Sequence, residues 1–282
     1  MTKTSPDTKL PRKTKLFYGI GDLGNAVVNS AIQFFLMKFY TDGALVSPAL
    51  AGNALLIGKI WDAVNDPLFG WFTDRTKSRH GKRRVFMLFG AIPLAIAIAL
   101  LWYVPQADRI WTFVWIAATF LLFDTIWTLT NVPYYALTSE LTDDYDERSS
   151  LTTYRMAMAV PAYLVGAALT PAIVGLFALQ RTGYAFIGIA YGVLAAVALL
   201  ISAAGLRERS GLAVSKPEPS PFKSLALALK NRPFVWLCGT YFVINISFAF
   251  IKILMAYYIE YQLLMKAETT LVMGLMLICV TI

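Results

Sequence analysis

Seven stretches of this chain are each apolar over about twenty residues or more, and that repetition leaves few folds open. The windows fall at about 16–40, 46–72, 85–105, 110–136, 151–178, 184–206 and 233–260. The hydrocarbon core of a bilayer is crossed by about 20 apolar residues in an α-helix, and in lipid only helices and closed barrels satisfy their own backbone hydrogen bonds. The expected fold is therefore an all-α membrane protein. An eighth apolar run, 268–282, reaches Ile282 short of a full span, so an incomplete eighth helix is expected, from a fragment of a longer protein or a gene truncation. The balance of 57% hydrophobic to 15% charged residues compares with about 45–50% and about 25% in soluble domains. It excludes disorder and argues against a soluble enzyme. Cys238 and Cys279 both lie in apolar runs, which excludes a disulfide scaffold. The first apolar run is longer than a secretion signal and has no small-residue cleavage site, so it reads as a retained helix.

The net charge of +8 is a topology signal. Short connections (41–45, 106–109, 179–183 and 263–267) alternate with long segments (1–15, 73–84, 137–150 and 207–232). The long-segment side carries 19 of the 25 basic residues, the short-loop side 3 (Arg109, Arg181, Lys266), and the spans hold Lys38, Lys59 and Lys252. Basic residues mark the cytoplasmic face, so a cytoplasmic N-terminus in a cytoplasmic (inner) membrane is expected. No folded basic domain remains for nucleic acid. The Pro-, Ser- and Lys-rich segment 207–232 divides the chain. Residues 1–206 read as a six-span half, 207–232 as a cytoplasmic linker with a short interfacial helix, and 233–282 as the first spans of an incomplete second half. Six spans, a linker and more spans is the layout of a two-half carrier.

Charges inside the spans point to function. Lys59, Asp62 and Asp66 are spaced i, i+3 and i+7 and share one helix face, with Asn65 adjacent. Each carboxylate at mid-membrane costs about 2.5–3.5 kcal/mol to insert. Two acids one turn apart repel unless a cation or proton joins them. Two anionic oxygens and an amide oxygen are hard ligands suited to Na⁺ or H⁺. The competing reading makes Lys59 a structural counter-ion, which leaves one acid unmatched. Polar stripes recur on other spans: Tyr18, Asp22, Asn25, Asn29 and Gln33 on the first; Asp124, Trp127 or Thr128, Asn131 and Tyr135 on the fourth; Tyr241, Asn245, Phe248 and Lys252 on the seventh. They fit a wet cavity for a polyhydroxy solute, or, taken singly, hydrogen bonds that join helices. Gly19, Gly21 and Gly24 form a G-x-G-x-x-G string with no strand before it, so close helix packing is expected rather than a nucleotide site. His80 is a lone loop histidine, and no metal is expected there.

The strings Gly70-Trp71-Phe72-Thr73-Asp74-Arg75 and Arg79-His80-Gly81-Lys82-Arg83-Arg84 resemble the loop between spans two and three of the major facilitator superfamily. With Ile60-Trp61-Asp62-Ala63-Val64-Asn65-Asp66-Pro67 before them, they resemble the glycoside–pentoside–hexuronide:cation symporters, the family of the melibiose carrier. Tyr18 to Asn25, Asn131 to Leu137 with Glu147-Arg148 and Tyr154-Arg155, and Lys230 to Phe234 are similar to that family as well. The resemblance implies a major facilitator fold and cation-coupled symport of a sugar or glycoside-like solute by alternating access. The cation-binding residues it implies are Asp62, Asp66, Asn65 and Thr128. Asn131 and Tyr135 fall where the melibiose carrier has a sugar-binding Asp and a Trp under the sugar ring, Arg155 matches an Arg near the sugar, and Asn25-Ala26 replace a Lys-Asp pair. Two sugar-binding acids are thus absent, and a hexuronide or a lysolipid enters the range of solutes. Val85 replaces a Pro.

Asp22, Asn25, Asn131, Tyr135, Arg155, Trp127 and Lys59 are the candidate solute-binding residues. Asp74, Arg75 and Arg84 are candidate gating residues, with the acids Glu140, Asp143, Asp144, Asp146 and Glu147 expected to lock against Arg75, Arg79 or Arg84. No catalytic residue, no cofactor beyond the coupling Na⁺ or H⁺, no metal beyond Na⁺ at Asp62 and Asp66, and no obligate protein partner are expected. The expected partners are the bilayer and a small solute. The rivals are a lysolipid or other amphiphile carrier, a membrane-embedded enzyme using Asp62 and Asp66 as acid and base, and a non-transporting fragment.

Overall fold

A computed structural model of the chain describes residues 9–76, 78–79, 81–206, 228–264, 271–272 and 275. Among these are seven long helices: α1 (Arg12–Lys38), α2 (Pro48–Arg75), α3 (Arg84–Leu101), α4 (Arg109–Leu141), α5 (Tyr145–Gly175), α6 (Gln180–Gly205) and α7 (Arg232–Tyr257). α1 and α7 each run on into a π-helical turn, Phe39–Gly43 and Tyr258–Gln262. The interfacial helix expected in 207–232 and the run 268–282 fall almost wholly outside the described residues.

Local chemistry sets the helix starts. Asp108 accepts a hydrogen bond from the Trp111 N–H and caps α4. Asp144 accepts from the Glu147 N–H at 3.0 Å and caps α5. Proline in the first turn of α2 and of α7 costs no helical hydrogen bond. The expected long connection 137–150 is corrected here. α4 continues to Leu141 and α5 begins at Tyr145, because the Asp144 cap starts a new helix at once.

α1 is the central element. It packs against α5, α6 and α7; α3 packs against α4 and α6, and α2 lies at the edge against α4. The glycine string lets α1 approach its neighbours. A Cβ at Gly24 would lie 2.6 Å from Ala195 Cα on α6, and one at Gly19 would lie 2.9 Å from the Tyr154 carbonyl oxygen on α5. Gly24→Leu is therefore expected to destabilise the bundle by about 1–3 kcal/mol through overpacking, visible as a lower Tm of the detergent-purified protein.

α3, α4, α5, α6 and α7 with its π turn are long and apolar enough to cross a membrane. α1 and α2, at 27 and 28 residues, have the length, about 40 Å at 1.5 Å per residue, but carry the polar stripes. Apart from the face that carries Asn245 and Lys252, α7 is largely apolar, and it buries only Ala256. Such a surface belongs in lipid or against another part of a protein.

At the short-loop end the two π turns meet. Lys38, buried at 6% exposure, pairs with Asp42 at 2.9 Å and with Glu260. The Thr41 and Tyr257 hydroxyls are 2.7 Å apart, and Tyr261 donates its hydroxyl to Asp42 at 3.0 Å. The Lys38 ammonium also lies 5.3 and 5.2 Å from the Tyr257 and Tyr261 ring centroids. Lys38 thus holds two acids from opposite helices together. With Cys238 and Cys279 replaced by Ser, Lys38→Met is expected to speed maleimide labelling of a cysteine at Ala256 several-fold, by loosening α7 from α1.

Candidate cation and solute site

The seam between α2 and α4 gathers three intramembrane acids, Asp62, Asp66 and Asp124. Asp66 accepts a hydrogen bond from the Thr128 hydroxyl at 2.9 Å. One turn earlier on α2, Asp62 pairs with Lys59 at 3.1 Å, on a half-exposed surface. Asn65, fully buried between them, donates its amide to the Asp124 carboxylate and backbone carbonyl, both at 3.3 Å. Its side-chain oxygen is buried without a partner. Asp124, 4% exposed, also interacts with Asp62, and the two line one cavity.

This arrangement changes the expected pairing in two ways. Lys59 does neutralise Asp62, yet the seam still holds two further acids, Asp66 and Asp124. The acid facing Asp62 across the seam is Asp124. The sequence placed Asp124 in a stripe but not among the ligands; the usable signal was an acid inside a span four residues before Thr128. A buried amide oxygen with no donor, on a residue that contacts Asp124 and lies between Asp62 and Asp66 in sequence, suits a hard cation or a proton, since an unsatisfied buried acceptor costs about 1–3 kcal/mol.

A second polar cluster joins α1, α4 and α5. Asp22, 5% exposed, binds the Arg155 guanidinium at 2.8 Å and accepts a longer contact from the Tyr135 hydroxyl at 3.4 Å. The guanidinium also lies 4.6 Å from the Tyr135 ring centroid. Asn25 donates its amide to Asn131, which donates in turn to the Trp127 carbonyl at 3.0 Å. The Asn25 side-chain oxygen is buried without a partner. Asp22, Asn25, Asn131, Tyr135 and Arg155 thus come together, while Trp127 and Lys59 line the neighbouring cavity.

That cavity, about 690 Å³, lies between α1, α2, α4 and α7. Asn29, Gln33, Lys59, Asp62, Asp124 and Lys252 line its polar part, and Phe120, Phe123, Trp127 and Phe248 are among its apolar walls.

The gating expectation is corrected at the other end. Asp74 pairs with Arg83 at 3.1 Å and with Lys82 at 3.7 Å, and Glu140 pairs with Arg83. Arg83 is therefore the hub that joins α2 to α4. Arg75 stacks 3.9 Å from the Trp71 ring centroid, and Arg84 donates to the Ala203 carbonyl at 2.8 Å, at the end of α6. Glu147 pairs with Lys15 at 2.9 Å and accepts from the Leu10 N–H at 2.9 Å.

Helices long and apolar enough to cross a membrane, enclosing opposed charges and unfilled amide oxygens, define an integral membrane protein. The family described as MFS/sugar transport protein matches residues 17–282, and the chain belongs to it, among the glycoside–pentoside–hexuronide:cation symporters of the major facilitator superfamily. An uncharacterized symporter of Synechocystis sp. is 38% identical over 77% of this chain and 41% of that protein. YagG of Escherichia coli, whose name provisionally gives it as a glycoside/cation symporter, is 32% identical over 82% of this chain and 51% of its own length. The sodium-dependent lysophosphatidylcholine symporter 1-A of Danio rerio is 35% identical over 58% of this chain and 31% of that protein. The chain spans about half the length, or less, of these relatives.

Proposed function

We propose that the chain supplies the first half, and the start of the second, of a carrier that moves a sugar or glycoside-like solute with Na⁺ or H⁺ into the cytoplasm, unmodified and by alternating access. The observation that carries this reading is the unpartnered Asn65 oxygen in the seam that holds Asp62, Asp66 and Asp124. The cation neutralises the acids of the α2–α4 seam, and the solute orders beside them at Asp22, Arg155, Tyr135, Asn25 and Asn131. Binding of each then strengthens the other, because the coupling between two sites is reciprocal. The distribution of basic residues supports a cytoplasmic N-terminus in a cytoplasmic membrane. The Asp74–Arg83–Glu140 cluster serves as a gate contact at the cytoplasmic end; even about 0–1 kcal/mol from an exposed pair is enough to shift populations between two states, and the Arg83–Glu140 contact is the more buried of the two.

The test is uptake of labelled glycosides into vesicles under imposed Na⁺ or H⁺ gradients, with product analysis of the imported solute. Gradient-driven accumulation of intact solute supports the reading. Accumulation of a converted product would make it an enzyme. A second reading, carriage of a lysolipid, is favoured by the aromatic cavity wall and by the lysophosphatidylcholine symporters among the relatives. Competition between lysolipids and sugars separates the two.

A further inference from the structure

Among the cations inside the bundle, Lys252 is the exception. Lys59 has Asp62, Arg155 has Asp22 and Lys38 has Asp42 and Glu260. The Lys252 ammonium donates instead to the neutral Gln33 side-chain oxygen at 2.6 Å, which also accepts from the Tyr163 hydroxyl at 3.1 Å, and lies 5.8 Å from the Tyr163 ring centroid. Among the described residues no carboxylate pairs with it. An amide oxygen shared with a second donor is a weak partner for a full charge, and it leaves two of the three ammonium hydrogens open. Keeping a lysine at this depth costs about 2.5–3.5 kcal/mol on insertion scales. Lys252 opens onto the same cavity as Asp62, Asp124 and Trp127, where a solute would meet it.

We propose that Lys252 binds an anionic group, a carboxylate or a phosphate, on the transported solute. This rests on the carrier reading above and names the solute class for it. It also supplies a reason for coupling: beyond the Lys59–Asp62 pair, Asp66 and Asp124 leave the seam net negative and repel an incoming anion until the cation neutralises it, so the anion binds well only after the cation. An isosteric neutral solute gains nothing from Lys252.

The test uses two pairs of probes on the detergent-purified protein at saturating Na⁺, with binding read as the ligand-dependent rise in Tm. p-Nitrophenyl β-D-glucuronide is compared with the glucoside, and oleoyl lysophosphatidate with monooleoylglycerol. The anionic member of one pair is expected to bind about 10- to 100-fold more tightly, as a charge-assisted hydrogen bond allows. Lys252→Gln should bring that ratio close to one, and Lys252→Arg should keep it. A preference confined to the sugar pair identifies a glycuronide, and one confined to the lipid pair an anionic lysolipid. No preference in either pair of the wild type overturns the proposal, as does a preference that survives Lys252→Gln. The wild-type comparison decides the matter even where the variant fails to fold. Stabilisation by Na⁺ or H⁺ alone, measured without solute, reports on the cation seam separately. Its failure would remove the carrier reading, whereas its presence with no anion preference removes only this proposal.

Discussion

Asp66→Asn is expected to lower cation affinity by about 100- to 1,000-fold and to abolish cation-stimulated uptake at ordinary salt. An opposite charge at about 4 Å contributes about 4 kcal/mol at an effective dielectric constant of 20, close to three decades in affinity. Desolvation of the ion returns part of that. Asparagine keeps the size of the side chain and can still meet the Thr128 hydroxyl, so the fold should persist; unchanged membrane insertion and an unchanged Tm without cation check this. Asp62→Asn should act in the same direction, and it also leaves Lys59 without its carboxylate. Lys59→Gln should do the opposite. In the structure the Lys59 ammonium sits on Asp62, where it would compete with the proposed cation. Its side chain is 62% exposed, so the gain is limited to the about 0–1 kcal/mol of an exposed pair, up to about five-fold in affinity. The readout is the cation concentration that gives half-maximal stabilisation in a thermal melt. Unchanged cation response in both Asp variants would sink the assignment of the α2–α4 seam.

The spans were legible because apolar length is a one-dimensional property, and residues 84–101 and 180–205 are nearly uniform runs. The glycine string was legible too, since without a preceding strand only packing remained for it, and the Gly24–Ala195 approach shows that packing. Charges inside α2 were visible for the same reason that they are costly. What the sequence concealed depends on which helices meet. Asp124 joins Asp62 and Asn65 only because α4 lies beside α2; its place one turn before Thr128 marks it as a candidate but does not say which α2 residues it meets. The choice of Arg83 over its neighbours as partner of Glu140 is set by the turn before α3, where adjacent basic residues point in different directions. Lys38 and Glu260 are separated by more than two hundred residues, and their meeting follows from the docking of α7 on α1. The long connection expected at 137–150 fails for a local reason: Asp144, followed three residues later by Glu147, is a helix start.

The second large effect is expected at Asp22 and Arg155, and there the pair matters more than either residue. Their contact is 2.8 Å, with side chains 8% and 18% exposed. Removing one partner strands the other charge, which typically costs about 3–5 kcal/mol, whereas replacing both with neutral groups of similar size is often close to neutral. Asp22→Asn should therefore destabilise strongly, and Arg155→Gln comparably. The double variant should recover most of the lost stability, giving a coupling energy of about 2 kcal/mol or more in a thermodynamic cycle. Tyr135 sharpens the distinction, because its ring lies against the guanidinium and its hydroxyl faces Asp22; with both charges gone it keeps only its packing. If the pair serves the solute as well as the fold, the stable double variant should still bind solute poorly. If its purpose is structural alone, solute affinity should return together with stability. Solute-dependent melts of the four proteins in the cycle decide between these outcomes. Purely additive losses would show that Asp22 and Arg155 act separately, and that the second polar cluster is not a unit.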